Sequence, residues 1–176
     1  DIVRNSRLVR GNSKAGIQSA YDMLRESVRR IAEKRRGRMW LWEGDGGIAA
    51  FHYAHPAMSA VLCGMEILND LSVYNLTDNP LDRDLLVRVA VHAGFVHYTD
   101  DAASLLREEC VKELCEIEEG WTAPGSMSVS ASIAPHIDGI IKDTLRPLDI
   151  DSPRELLGYS LGLAESACKA PKGRQA

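Results

Sequence analysis

The chain has 176 residues, 45% of them hydrophobic, with a formal net charge of -4. That is enough apolar material for one substantial core, and no apolar run of membrane length or signal-peptide pattern interrupts it, so the expectation is a soluble, cytoplasmic protein without a membrane partner. The acidic balance argues against a broad nucleic-acid footprint, and the local basic run Arg29, Arg30, Lys34, Arg35, Arg36 and Arg38 reads as a solvated helix end favoured by the helix dipole.

Asp1-Ile2-Val3 opens the sequence, followed by a polar stretch from Arg4 to Lys14. Ile17, Tyr21, Leu24, Val28 and Ile31 then recur at three- and four-residue spacings, which predicts an amphipathic helix with one buried stripe. The run Trp40-Leu41-Trp42-Glu43-Gly44-Asp45-Gly46-Gly47-Ile48-Ala49-Ala50-Phe51 predicts a β-hairpin, because glycines accept the positive φ of a tight connection. A second helix starts at His55-Pro56, with Ala60, Val61, Met65, Ile67 and Leu68 facing a sheet, and a polar loop runs from Asn75 to Asp84.

Leu85 to Tyr98 is the longest strand candidate, nearly continuous in apolar residues before Gly94 as suits an interior strand. A helix over Asp101–Glu119, a short strand over Ser126–Ser130 and a helix over Ala131–Ile141 follow. Thr144–Ile150 forms a final strand that Pro147 assigns to an edge. Cys63, Cys110, Cys115 and Cys168 show no paired metal spacing and read as thiols of a reducing compartment. The tail after Lys169 reads as disordered.

The order strand, helix, hairpin, helix, strand, helix, strand defines an α/β (α+β) fold with a ferredoxin-like βαββαβ core and C-terminal additions. A core domain over residues 1–150 and an extension with tail over 151–176 follow from it. The first strand should end at Asp1. A sheet missing that central strand would leave two neighbours with unpaired backbone, so the sequence is read as trimmed before Asp1. Asp45 at the hairpin tip has two readings: a turn former bonding its own backbone, or a carboxylate that meets Asp1 at one sheet edge, where the pair could hold one or two Mg²⁺ ions.

Asp1-Ile2-Val3, Gly44-Asp45-Gly46-Gly47-Ile48-Ala49-Ala50-Phe51, Val87-Arg88-Val89-Ala90-Val91-His92-Ala93-Gly94-Phe95-Val96 and Ala123-Pro124-Gly125-Ser126-Met127-Ser128-Val129-Ser130 occur in that order. Together they resemble the catalytic domain of class III nucleotidyl cyclases over roughly residues 1–149. The resemblance implies two Mg²⁺ or Mn²⁺ ions held by Asp1, Asp45 and the Ile2 carbonyl, a nucleoside triphosphate substrate, and cyclisation with loss of pyrophosphate. It also implies a head-to-tail homodimer whose sites lie at the interface.

Arg4-Asn5-Ser6 replaces the family's Gly-Phe-Thr, and its amides could cradle phosphates with charge from Arg4 or Arg7. Ser6 could instead cap the helix. In purine cyclases a Lys or Glu stands four residues before the hairpin aspartate and reads the base; here that residue is Leu41, with Gly44 completing the base-side hairpin. The family's helical Asn and transition-state Arg align with Lys112 and Glu116. The arginine is therefore unmatched, with Lys112 or Arg107 as substitute cations. His92 reads as a hydrogen-bonded core residue rather than a base. The Trp-flanked hairpin and the lost base reader are similar to the pyrimidine cyclases of Pycsar anti-phage systems, which implies UTP ahead of CTP. The alternatives are an adenylate or guanylate cyclase in signalling, or a degenerate cyclase domain serving as a nucleotide-binding or dimerisation module.

Overall fold

A computed structural model describes residues 1–162. The segment read as a polar connection contains a short helix, α1 (Asn5–Gly11), which enters from Arg4 in the left-handed region and is anchored by the buried Leu8. Helix α2 (Lys14–Lys34) follows as its periodicity requires, with Leu24 and Ile31 buried on the stripe; burying each such side chain contributes roughly 1.5–3 kcal/mol. Its cap is Ser13, whose Oγ accepts from the Gly16 amide at 3.1 Å, so Ser6 does not cap it.

Strands β1 (Gly37–Glu43) and β2 (Gly46–Phe51) form the expected antiparallel hairpin around Gly44-Asp45, with Gly44 at φ 56. Helix α3 (Pro56–Thr77) carries the hairpin back to β3 (Arg88–Val91). β3 is much shorter than the apolar run suggested, because its ladder with β4 (Ser126–Ser130) ends at Val91↔Val129. With no partner strand among the described residues, residues 92–98 are irregular.

The long helix expected over Asp101–Glu119 is broken into α4 (Ala102–Leu105) and α5 (Glu109–Trp121). The anchors explain the break. Leu105 and Val111 are both buried but six residues apart, a spacing that a single helix would turn to different faces. The helix expected over Ala131–Ile141 is likewise a 3₁₀ turn at Ala131–His136 containing Pro135, then α6 (Gly139–Lys142).

Only Arg146–Pro147 of the last expected strand pairs; this is β5, at the sheet edge as Pro147 requires. Beyond it, β6 (Leu156–Ser160) lies antiparallel to β4, so part of the sheet comes from the segment assigned to a C-terminal extension. The tail after Lys169 and Cys168 lie outside the described residues.

The strands thus form two pieces, the β1-β2 hairpin and a sheet of order β3-β4-β6-β5. Between them lies Asp1-Ile2-Val3, with Ile2 bridged antiparallel to Val87 and the Ile2 amide donating to the Asp45 carbonyl at 3.3 Å. Val89 meets α3, where a Cβ on Gly64 would stand 3.1 Å from Val89 Cγ1, while its neighbour Arg88 reaches Glu118 of α5. Strand alternation therefore puts α3 and α5 on opposite faces of β3. The core between sheet and helices includes Ile31, Val61, Leu85 and Met127, all essentially inaccessible.

Candidate active site

Two aspartates, Asp1 and Asp45, lie where the first residues meet the hairpin. Asp45 is half-buried at the turn, its carbonyl accepting from the Ile2 amide at 3.3 Å. Asp1 lies directly over Gly46: a Cβ there would stand 3.1 Å from Asp1 Oδ1, so a side chain at that position would crowd the carboxylate. The other Asp1 oxygen accepts from Arg88 Nη2 at 2.9 Å.

Arg88 in turn approaches Glu118 Oε1 with Nε at 2.5 Å, and that carboxylate is only 16% exposed. Burial raises the Glu118 pKa above the ordinary carboxylate range, with Arg88 opposing the rise. Burial also raises the Tyr21 hydroxyl, and the Asp45 charge adds to it. The Tyr21 hydroxyl donates to Asn5 Oδ1, tying the start of α1 to this corner.

Asp1 and Asp45 line an open cleft of about 1940 Å³ between β2 and β3, as do Leu41, Trp42 and Glu118. Among the described residues no group of three or more His, Cys, Asp and Glu side chains converges as a metal cage. Two carboxylates with neighbouring carbonyls nevertheless make a hard-oxygen donor set, and Mg²⁺ commonly binds through one or two carboxylates and completes its shell with water and substrate phosphates. The residues present fit such an ion.

The remaining site residues inferred from sequence are dispersed. Arg4 and Ser6 are exposed at the start of α1, and Gly44 is at the turn. Lys112 projects from α5 away from the cleft, 52% exposed and 3.6 Å from Glu109. Glu116, in the place aligned with the arginine, accepts from Arg154 at 3.0 Å, and Glu113 holds the same guanidinium at 2.8 Å. His92 bonds Ser130 Oγ at 3.0 Å and Glu113 at 2.8 Å, as its reading as a core histidine requires.

Sequence reasoning did not assign Arg88 or Glu118 to the site. Glu118 was hidden in an acidic helix, although its seven-residue spacing from the buried Val111 places it on the inward face. Trp40 is bulged out of the β1 register and donates to the Thr99 carbonyl at 2.9 Å while stacking on Tyr98, so it pins the irregular segment after β3.

No protein-family model matches the chain, and no curated protein matches its sequence. Solved structures do match. The guanylate cyclase domain of RhGC from Catenaria anguillulae, in complex with GTP, superposes with a TM-score of 0.63 at 14% identity over 90% of each chain. An adenylate/guanylate cyclase/hydrolase from Silicibacter pomeroyi gives 0.58 at 19% identity over 91% of this chain and 92% of its own. The catalytic core of a rhodopsin-guanylyl cyclase with converted specificity, in complex with ATPαS, gives 0.66 at 13% identity over 91% of both. The chain has the fold of adenylate and guanylate cyclase catalytic domains. Among the described residues no helix is long and apolar enough to cross a membrane.

Proposed function

We propose that this chain is a nucleotidyl cyclase, converting a ribonucleoside triphosphate to a 3′,5′-cyclic nucleotide and pyrophosphate. The observation that carries the reading is that Asp1 and Asp45 both line the cleft, beside the Ile2–Asp45 backbone bond, in a fold shared with cyclase domains. Asp1, Asp45 and the Ile2 carbonyl would hold two Mg²⁺ or Mn²⁺ ions, which when bound neutralise the triphosphate and lower the pKa of the attacking hydroxyl. Arg88 keeps Asp1 oriented from behind, leaving Oδ1 toward Gly46 and the hairpin tip. The amides of Asn5 and Ser6, with Arg4 beside them, offer donors to the phosphates.

The preferred substrate in this reading is UTP. Leu41 cannot hydrogen-bond a base edge, and a purine's ring nitrogens and exocyclic groups left unpaired on desolvation would cost roughly 1–3 kcal/mol each. The role that follows is synthesis of a cyclic pyrimidine messenger in cytoplasmic anti-phage defence. A homodimer would complete the site, with Lys112, which is not among the residues lining its own cleft, serving the partner's; the structural neighbours include a non-canonical dimeric guanylyl cyclase domain from Blastocladiella emersonii.

A second reading is favoured by neighbours bound to GTP and to ATPαS, namely a guanylate or adenylate cyclase whose base reader is elsewhere. A third is favoured by Glu116 standing, bound to Arg154, where a catalytic cation is expected: a degenerate domain that binds nucleotide without turning it over. Competition among the four ribonucleoside triphosphates at equal concentration, with Mg²⁺ or Mn²⁺, separates them. Cyclic UMP as main product supports the proposal, a cyclic purine nucleotide replaces it with the second reading, and nucleotide binding without turnover replaces it with the third.

A further inference from the structure

The chain turns sharply between Asp1 and the first helix. Val3 N donates to Leu86 O at 2.8 Å, and Arg4 then stands at φ 53 and ψ 37, in the left-handed region, before α1 begins at Asn5. Glycine takes that conformation freely, whereas an arginine holds it only where its surroundings impose it. A strained, exposed arginine three residues after a candidate metal ligand points to a use for its side chain.

α1 does not impose the turn by itself. It has seven residues, too few for a stable isolated helix, and among the described residues no side chain caps its start. Its far end is clamped, since Asn12 Nδ2 donates to Asp82 Oδ1 at 2.8 Å and Asp82 N donates to Asn12 Oδ1 at 2.8 Å. Leu8 anchors the middle in the core. At the near end the hold comes from α2: the Tyr21 hydroxyl donates to Asn5 Oδ1, while the Tyr21 ring packs against the core. Burial, and then the Asp45 charge, oppose ionisation of that hydroxyl, so it stays a donor and lies within electrostatic reach of the hairpin carboxylate.

We propose that Tyr21 is a positioning residue for the candidate active site: through Asn5 it holds the Arg4 turn, so that the Arg4 guanidinium is presented to the phosphates of a nucleoside triphosphate at the Asp1–Asp45 corner. The proposal rests on the cyclase reading above. Tyr21 is not among the residues that line the cleft, so its effect on substrate passes through Asn5 and Arg4. Without the hydroxyl the near end of α1 loses its tie to α2, and Arg4 is free to leave the left-handed region for the conformations it prefers.

Tyr21→Phe removes the hydroxyl and keeps the ring. Two measurements on it need neither a base nor turnover. One is amide hydrogen exchange at Arg7 and Leu8, whose N–H groups donate to the Arg4 carbonyl at 2.9 and 3.3 Å. The other is the Kd for inorganic triphosphate with Mg²⁺. Exchange at both amides is expected to quicken about tenfold while exchange at Asp82 stays unchanged, and the Kd is expected to rise about tenfold. Asn5→Ala should do the same, and the double variant no more than either single, because each removes the same bond. In an Arg4→Ala background, whose affinity is already reduced, Tyr21→Phe should leave the Kd unchanged, an insensitivity that a merely structural tyrosine would not produce. Wild type that binds triphosphate, with unchanged exchange or unchanged Kd in Tyr21→Phe or with additive losses in the double variant, would overturn the inference and leave the cyclase reading standing. Wild type that does not bind triphosphate would overturn that reading and the inference with it.

Discussion

Arg88 and Asp1 hold each other through side chain and backbone together: the guanidinium donates to the Asp1 carboxylate at 2.9 Å while the two residues exchange a pair of main-chain bonds. The same guanidinium faces the buried Glu118, so one side chain orients a candidate metal ligand and neutralises an otherwise isolated acid. Arg88→Ala is expected to cost about 1–3 kcal/mol of stability, since it leaves the largely buried Glu118 carboxylate without its guanidinium partner. Because Asp1 also loses its tether, cyclase turnover should fall about tenfold or more, with Arg88→Lys recovering part of it. Denaturant unfolding and initial rates on the same samples check both halves.

Glu118 makes stability depend on pH in a direction opposite to that of the ordinary surface carboxylates. Its folded pKa is raised by burial, so the neutral form is the one folding favours. Its contribution is present below the ordinary carboxylate pKa and is lost as pH rises through the raised value. Relative to wild type, Glu118→Gln should therefore gain stability between acid and neutral pH. Unfolding midpoints of the two proteins across that range should diverge; parallel curves would contradict the assignment.

Gly64 is the point where α3 touches the sheet. A Cβ there would lie 2.4 Å from Met127 Sδ and 3.1 Å from Val89 Cγ1, and Met127 is fully buried. Gly64→Val is expected to destabilise by about 1–3 kcal/mol through overpacking, even though valine is a better helix former than glycine. A thermal midpoint equal to that of wild type would show that the helix can slide.

Lys112 and Arg107 are not among the residues that line the cleft with Asp1 and Asp45, which gives the dimer a clean test. A chain with Asp45→Asn and a chain with Lys112→Ala and Arg107→Ala should each be inactive alone. Mixed, they should regain roughly a quarter of wild-type activity, because half the dimers are mixed and each has one intact site. Failure to complement, with dimers confirmed by light scattering, would place all catalytic groups in one chain.

Where local chemistry decides structure, the sequence was readable. The α2 stripe, the Gly44-Asp45 turn and the Pro56 helix start all stand where their residues require. It misled where pairing decides. Residues 92–98 are as apolar as a strand, yet among the described residues no neighbour strand reaches them, so they are irregular. β6 was missed because Gly158 weakens its alternation, although Leu148 fills the space over that glycine, 2.4 Å from where a Cβ would be. The Asp1–Asp45 neighbourhood was legible from topology alone. The Arg88–Glu118 pair behind it was not, because it depends on which face of α5 turns inward.

The central claim is that Asp1 and Asp45 act as one catalytic unit on a nucleoside triphosphate. Its most direct test is product analysis of the purified chain and of Asp1→Asn, Asp45→Asn and the double variant, each offered the four ribonucleoside triphosphates with Mn²⁺. The expected result is a cyclic nucleotide from the wild type, UTP leading, and loss in each single variant as complete as in the double, because the two carboxylates share one function. A folded Asp45→Asn protein that cyclises as fast as the wild type would contradict the account.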